Sequence, residues 1–150
     1  MKEFHLAQIN IALALAPMDS EEMRDFMRRI DEINRLAERF EGFVWRLKDE
    51  NGNATAIQAF DNPDMLINMS VWQSIDCLKD YTYKSAHLDL IRDRARWFGK
   101  MKDPHLVLWW IPAGHVPTIE EGKARLALLD QHGPTAEAFT FARTFEPPVA

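Results

Sequence analysis

The sequence predicts an α+β fold: a ferredoxin-like antiparallel sheet with helices on one face, plus an added C-terminal helix and tail. Three observations carry that expectation. Runs with a period of two alternate along the chain with runs of helical period. Their order is strand, helix, strands, helix, strand, helix, which suits a layered α+β domain. The 150 residues contain no repeat, low-complexity run or interdomain linker, so residues 1–150 are expected to form a single domain.

"FHLAQINIAL" (4–13) alternates, with Ala7, Ile9 and Ile11 on one side and Leu6, Gln8 and Asn10 on the other, and Pro17 ends it. Asp19 and Glu22 have capping-box spacing for a helix whose core-facing residues run Met23, Phe26, Met27, Ile30, Ile33, Ala37, Phe40. Gly42 stands where a helix C-cap favours a left-handed residue. Two β-rich runs flank Asn51-Gly52 as a hairpin, and "LINMSVW" (66–72) is the next strand. Ser74 can cap a short helix through Tyr81, and a second helix is expected from about Ser85 to Phe98. "HLVLWWIP" (105–112) reads as a buried strand. Thr118 and Glu121 form a capping box for a helix through His132, stopped by Gly133-Pro134. The tail carries Phe139, Phe141 and Phe145 and is expected to dock in part.

Bulk properties remove several classes of function. Lys plus Arg number 18 and Asp plus Glu 23, a net charge of −5. An acidic chain without a Lys/Arg cluster is a poor partner for nucleic acid or an anionic membrane. No stretch nears the ~18 apolar residues of a membrane span. "IALALAP" (11–17) has the look of a signal-peptide core, but it is short and Glu3, His5, Gln8 and Asn10 interrupt its approach. The lone Cys77 forbids an intrachain disulfide and fits a reducing compartment, so the expected location is the cytoplasm. No His or Cys spacing suits a metal, and no phosphate-binding or nucleophile-elbow motif occurs.

In a ferredoxin-like sheet the first and third strands are expected as central, parallel neighbours. Gln8 and Asn10 would then lie beside Asn68, Ser70 and Trp72, with Asn10 and Trp72 at the same end and His105 arriving there on the fourth strand. Amides, a hydroxyl, an indole N–H and an imidazole could line a pocket, or bond one another as core. The other face is plainly apolar and would suit the helices, which would make the polar face the interior between two sheets, but alternation alone leaves open which face meets the helices. Trp45, Trp109 and Trp110 make a solvated second face unfavourable, so two sheets packing face to face as a homodimer are expected. Tyr83, His87, Leu90, Arg94 and Phe98 fall near one helical face. His115, in "PAGHVPT", either bonds locally or reaches the pocket.

Trp72-Gln73-Ser74, Tyr81 and His87 match, in order, a strand-terminal Trp-x-Ser, a helix aromatic and a later histidine that recur in the dimeric α/β-barrel superfamily. The chain resembles that superfamily, which includes antibiotic-biosynthesis monooxygenases and IsdG-type haem-degrading enzymes. "HLAQINIA", "GFVWRL", "NMSVW" and "HLVLWWIPAGHVPT" resemble, over nearly the whole chain, a bacterial domain family of unknown function within it. The resemblance implies a dimeric α/β barrel and a small, flat aromatic ligand. If there is an activity, it implies cofactor-independent oxygenation of a phenolic or quinol-like substrate. His87 or His105 would accept the proton, and Asn10, Asn68 and Trp72, with Tyr83, Trp110 and His115 around them, would hold the ligand. A non-catalytic ligand-binding or stress-response module is the alternative. Haem held by His87 is a further one, although the interval from Trp72 to His87 is shorter than in the haem-degrading enzymes and Tyr81 replaces their tryptophan.

Overall fold

In the computed structural model, which describes residues 3–48, 60, 62, 64–101 and 104–148, the first alternating run forms β1 (Phe4–Leu13). β1 lies between β3 (Met65–Trp72) and β4 (Leu106–Pro112), with β2 (Phe43–Arg46) outside β3. The order β2-β3-β1-β4, with every neighbouring pair antiparallel, is the ferredoxin-like arrangement. One expectation is corrected: β1 and β3 are antiparallel, not parallel. Helix α1 (Arg24–Arg39) returns the chain so that β2 follows the direction of β1, and β3 then doubles back beside both. Leu6 therefore pairs with Trp72 and Asn10 with Asn68, which places Asn10 and Trp72 at opposite ends of the pair.

Local chemistry sets the element ends, with some differences from the sequence reading. A 3₁₀ turn at Glu21–Met23 follows Ser20, so Asp19 does not cap α1. Gly42 lies two residues beyond the C-cap Phe40, at φ +87°, where a Cβ would come within 2.3 Å of Cys77 Sγ. Both its backbone conformation and the space around it require glycine. Ser74 accepts from the Cys77 N–H at 3.1 Å and starts α2 (Ile75–Lys84). The expected continuous helix from Ser85 to Phe98 is interrupted. It begins only as α3 (His87–Asp93) and tightens to 3₁₀ at Arg94–Arg96, which turns Trp97 into the core. Thr118 accepts from the Glu121 N–H at 3.1 Å and starts α4 (Ile119–His132). The Asn51-Gly52 hairpin lies outside the described residues. No helix among the described residues is long and apolar enough to cross a membrane.

The sheet is buried on both sides. Leu6, Leu66, Trp72 and Leu108 pack against Phe26, Ile33 and Ala37 of α1, Leu78 and Tyr81 of α2, and Leu90 of α3. The opposite face, with Ala7, Ile9, Met69, Val71, Val107 and Trp109, packs against Leu126 and Leu129 of α4. The alternation left this assignment open, and the packing decides it. The polar positions of β1 and β3 face α1–α3, and the uniformly apolar face receives the C-terminal helix. The reason is composition: the row carrying the amides also carries Leu6, Trp72 and Leu108, so it too can cover a helical layer. The homodimer expectation rested on an uncovered second face and on the resemblance to dimeric barrels; α4 covers that face within the chain, which leaves the resemblance as its ground. The tail docks as expected: Phe139 exchanges both backbone hydrogen bonds with Leu108, at 2.8 and 2.9 Å.

α4 sits close because Gly122 leaves room. A Cβ there would lie 2.7 Å from Ile9 Cδ1 and 3.4 Å from Met69 Sδ. For Gly122→Ala, about 1 kcal/mol of gained helix propensity opposes the crowding of one methyl, and the net change is expected within about 1 kcal/mol. Gly122→Leu cannot be accommodated and should cost about 1–3 kcal/mol. A urea-unfolding midpoint for Gly122→Leu equal to that of the native chain would show that α4 does not seat on this face.

Candidate functional site

On the helix side a polar row crosses three strands. Arg46 pairs with Ser70 across β2 and β3, and Ser70 pairs with Gln8 across β3 and β1. All three are at most 9% exposed. Burying such groups is costly unless they bond, and here they do. Gln8 Nε2 donates to Ser70 Oγ and to Asn68 Oδ1, each at 2.7 Å. The Trp72 indole N–H donates to Ser70 Oγ at 2.9 Å. Arg46 reaches Glu38 of α1, with its Nη2 2.8 Å from the carboxylate. The result is one bonded chain, Trp72–Ser70–Gln8–Asn68, that is sealed at the tryptophan and open to solvent at Asn68.

At the sealed end three rings line up. Tyr81 stacks on Trp72 with centroids 4.9 Å apart, and His87 packs on Tyr81 at 5.1 Å. The residues that carried the sequence resemblance are therefore adjacent. Burial pushes the Tyr81 phenol far up, outweighing the nearby Arg46 charge, and its O–H donates to the Ile33 carbonyl. His87 Nδ1 lies 3.3 Å from the Thr82 carbonyl. A carbonyl only accepts, so Nδ1 carries the proton in that bond and Nε2 of the neutral ring is left as an acceptor. Nε2 has no hydrogen bond among the described residues. Burial holds the His87 pKa below its ordinary value, more strongly than the Thr82 carbonyl raises it.

The remaining candidates disperse. Asn10 is half-buried, opposite Asn68. His105 is exposed; its backbone bond to Ile11 puts it in register with the apolar row, away from the amides. Tyr83 is 43% exposed and meets Phe141 of the tail edge-on at 5.7 Å, because the break before α3 separates it from His87. Trp110 is on the helix side, but its indole N–H donates to the Phe145 carbonyl at 2.8 Å. His115 bonds locally, with Nε2 2.7 Å from Glu121 Oε1. Glu121 also accepts from the Trp109 indole at 2.9 Å. Burial raises the Glu121 pKa, but the bonds from His115 and Trp109 outweigh it, and the net shift is downward. Asn34 and Arg46 were not picked out from the sequence. Their signals were an asparagine inside the apolar stripe of α1 and an arginine ending "FVWR".

A family model described as "Domain of unknown function (DUF3291)" matches residues 5–150. The chain belongs to that family. No curated protein matches it. Among solved structures it is similar to a protein of unknown function from Nitrosomonas europaea, at 13% identity over 79% of this chain and 99% of that one, TM-score 0.47. It is also similar to two proteins provisionally titled antibiotic biosynthesis monooxygenases. One, from Nitrosomonas europaea, is 9% identical over 77% of this chain and 93% of that one, TM-score 0.46. The other, from Chloroflexus aurantiacus, is 14% identical over 77% and 98%, TM-score 0.44. At these values the structures carry no argument about activity.

Two outcomes follow from the geometry. Trp72→Phe loses the bond to Ser70, worth about 1 kcal/mol, and leaves a cavity in a fully buried site. Its urea midpoint should report a total loss of about 1–3 kcal/mol; an unchanged midpoint would remove Trp72 from the core. For His87 the folded pKa lies below the ordinary 6.5. Below about pH 6.5 the unfolded chain thus binds a proton that the folded chain resists. Its contribution to stability is complete above that pH and is lost as pH falls toward the folded pKa. Melting temperature should decline over that window in the native chain and less steeply in His87→Asn; parallel profiles would contradict the burial of a neutral imidazole.

Proposed function

We propose that the protein is a small-molecule-binding domain whose ligand enters the helix-side layer of the sheet at the Asn10–Asn68 end. The observation that carries this reading is the bonded chain that runs from buried Trp72 to solvent-exposed Asn68. Its acceptor oxygen is held by Gln8, so the Asn68 amide is oriented and its Nδ2 is left to donate outward. A few fixed polar groups among apolar walls are what small-molecule recognition uses. A second subunit is not needed to complete this layer.

The second reading is cofactor-independent oxygenation of a phenolic or quinol-like substrate, whose anion would react with oxygen directly. Its support is His87, whose ring is oriented by Thr82, whose pKa burial lowers, and whose Nε2 has no hydrogen bond among the described residues, features that suit a general base. Packing disfavours it. His87 meets the Tyr81 ring, and among the described residues no ring contact or hydrogen bond joins it to Trp72, Gln8 or Asn68. A proton acceptor that does not adjoin the anion-holding groups is poorly placed to serve one small substrate with them, so the non-catalytic reading is the better supported. Haem is a third reading and rests on His87 alone: Tyr81 covers one face of the imidazole and Thr82 holds Nδ1, which leaves only the Nε2 side for a porphyrin. Titration with hemin is expected to give no Soret shift dependent on His87.

A panel of anthrones, quinols and flavonols tests the two main readings together. The expected result is a ligand-dependent rise in melting temperature without oxygen uptake in an oxygen electrode. Asn68→Asp retains the acceptor for Gln8 but loses the outward donor, so it should fold normally and weaken binding about tenfold, the worth of one hydrogen bond to a ligand. Oxygen uptake abolished by His87→Ala would establish the enzyme instead. Shifts indifferent to Asn68→Asp would place the ligand elsewhere.

A further inference from the structure

The C-terminal tail divides into a fixed root and a lightly held end. At the root, Ala138 and Phe139 are fully buried, and Phe139 exchanges both backbone hydrogen bonds with Leu108 along the outer edge of β4. The residues that follow leave that edge. Arg143 N–H donates to the Thr140 carbonyl at 3.2 Å and closes a turn, and the Arg143 guanidinium lies 5.4 Å from the centre of the Phe145 ring. Both contacts are internal to the tail, so they shape it without fastening it down. Among the described residues one hydrogen bond ties 140–148 to the rest of the chain, from the Trp110 indole N–H to the Phe145 carbonyl at 2.8 Å. Phe141 meets Tyr83 edge-on and Phe145 tilts against Phe139, each with centroids 5.7 Å apart, and both tail rings stay half-buried. Pro147 and Pro148 have no N–H with which to continue the pairing along β4.

Ordering this end costs entropy at every backbone torsion. One hydrogen bond and two half-buried rings stand against that cost. Segments with so few buried contacts open locally while the rest of the fold stays intact. The root is different, because releasing it would strip the backbone groups of fully buried Leu108 of their partners. What the end covers belongs to the sheet and stays in place. Trp110 is level with Leu6 and, through it, with Trp72. The Phe139 ring lies beside the Trp110 ring, with centroids 6.4 Å apart. Opening the end therefore bares an aromatic wall with one positioned N–H donor, a composition that small-molecule sites share. Phe145 shows what fits there: a six-membered ring joined through two saturated carbons to a carbonyl.

We propose that residues 140–148 are a displaceable lid, and that the place Phe145 occupies on Trp110 and Phe139 is a site for a ligand with an aromatic ring linked by a short saturated chain to a carbonyl. The ligand carbonyl takes the Trp110 indole N–H and its ring packs on Phe139, as Phe145 does within the chain. Lid and ligand compete for the same donor, so the observed affinity falls with the fraction of molecules whose lid is open. The site lies at the Trp72 level of the sheet and shares no residue with the Asn10–Asn68 end. It therefore stands independently of the ligand reading above.

3-Phenylpropanamide reproduces the ring, link and carbonyl of Phe145, and propanamide the carbonyl alone. Nitrogen–proton spectra of the full chain read the site through the Trp110 indole signal, assigned by its loss in Trp110→Phe. Backbone relaxation of residues 141–146 reads the lid. We expect 3-phenylpropanamide to move the indole signal saturably and propanamide to bind about tenfold more weakly or worse. At saturation the backbone of 141–146 should become mobile on the ps–ns timescale, while Ala138 and Phe139 stay rigid. Phe145→Ala removes the competing ring and should tighten 3-phenylpropanamide by about threefold or more. Trp110→Phe, followed through the lid signals, should weaken it about tenfold, the worth of the lost hydrogen bond. The absence of a saturable shift in both the native chain and Phe145→Ala would overturn the proposal. So would binding that leaves 141–146 rigid, equal binding of propanamide, or an affinity that Phe145→Ala does not raise.

Discussion

Burying a primary amide beneath a helical layer costs several kcal/mol unless its hydrogens find acceptors, and at Gln8 the fold meets that requirement. Both acceptors, Ser70 Oγ and Asn68 Oδ1, lie on β3. A slip of β3 by one residue would turn them to the opposite face and strand the Gln8 amide in a closed core. The pairing of β1 with β3 is thus specified twice, by the apolar alternation and by these bonds. β1 is the strand on which both β3 and β4 depend for their place.

The rest of the structure divides the sheet into two unlike surfaces. Towards α4 the contacts are almost entirely apolar, and the tight approach at Gly122 leaves no space between helix and sheet. Towards α1–α3 aromatic rings fill the Trp72 end, while neutral polar groups occupy the other. Ring packing and hydrogen-bonded polar groups are competing uses of one layer. The chain separates them along the length of β1 and β3 rather than across the sheet.

Much of this was legible in the sequence, for reasons that are local. Ser74 and Thr118 announced α2 and α4 because an N-cap acts on backbone N–H groups two or three residues away. The alternation of β1 and β3 sorted their residues into two sets correctly. It could not say which set faces α1–α3, because alternation is symmetric and either set holds enough apolar area to be buried. The sense of the β1–β3 pair was misjudged for the related reason that the return path through α1 and β2 is a property of the whole topology. The resemblance put His87 after an aromatic only in chain order, and the structure packs it on Tyr81. Asn34 went unnoticed because one asparagine within an apolar helical stripe looks like tolerated noise until its burial can be seen.

The stretch from Ala113 to Thr118, which joins β4 to α4, carries a consequence beyond connection. Upstream of it the chain already holds β1–β4 and the helices α1–α3. Downstream lies the cover for the other face. A protease nicking this exposed joint, where Gly114, His115 and Val116 all meet solvent, would leave a remnant with a broad, flat and greasy surface. Such a remnant would find its likeness in solution, as a pair or as a precipitate. The terminal helix is therefore a shield: it keeps the apolar face of the sheet away from water within one chain.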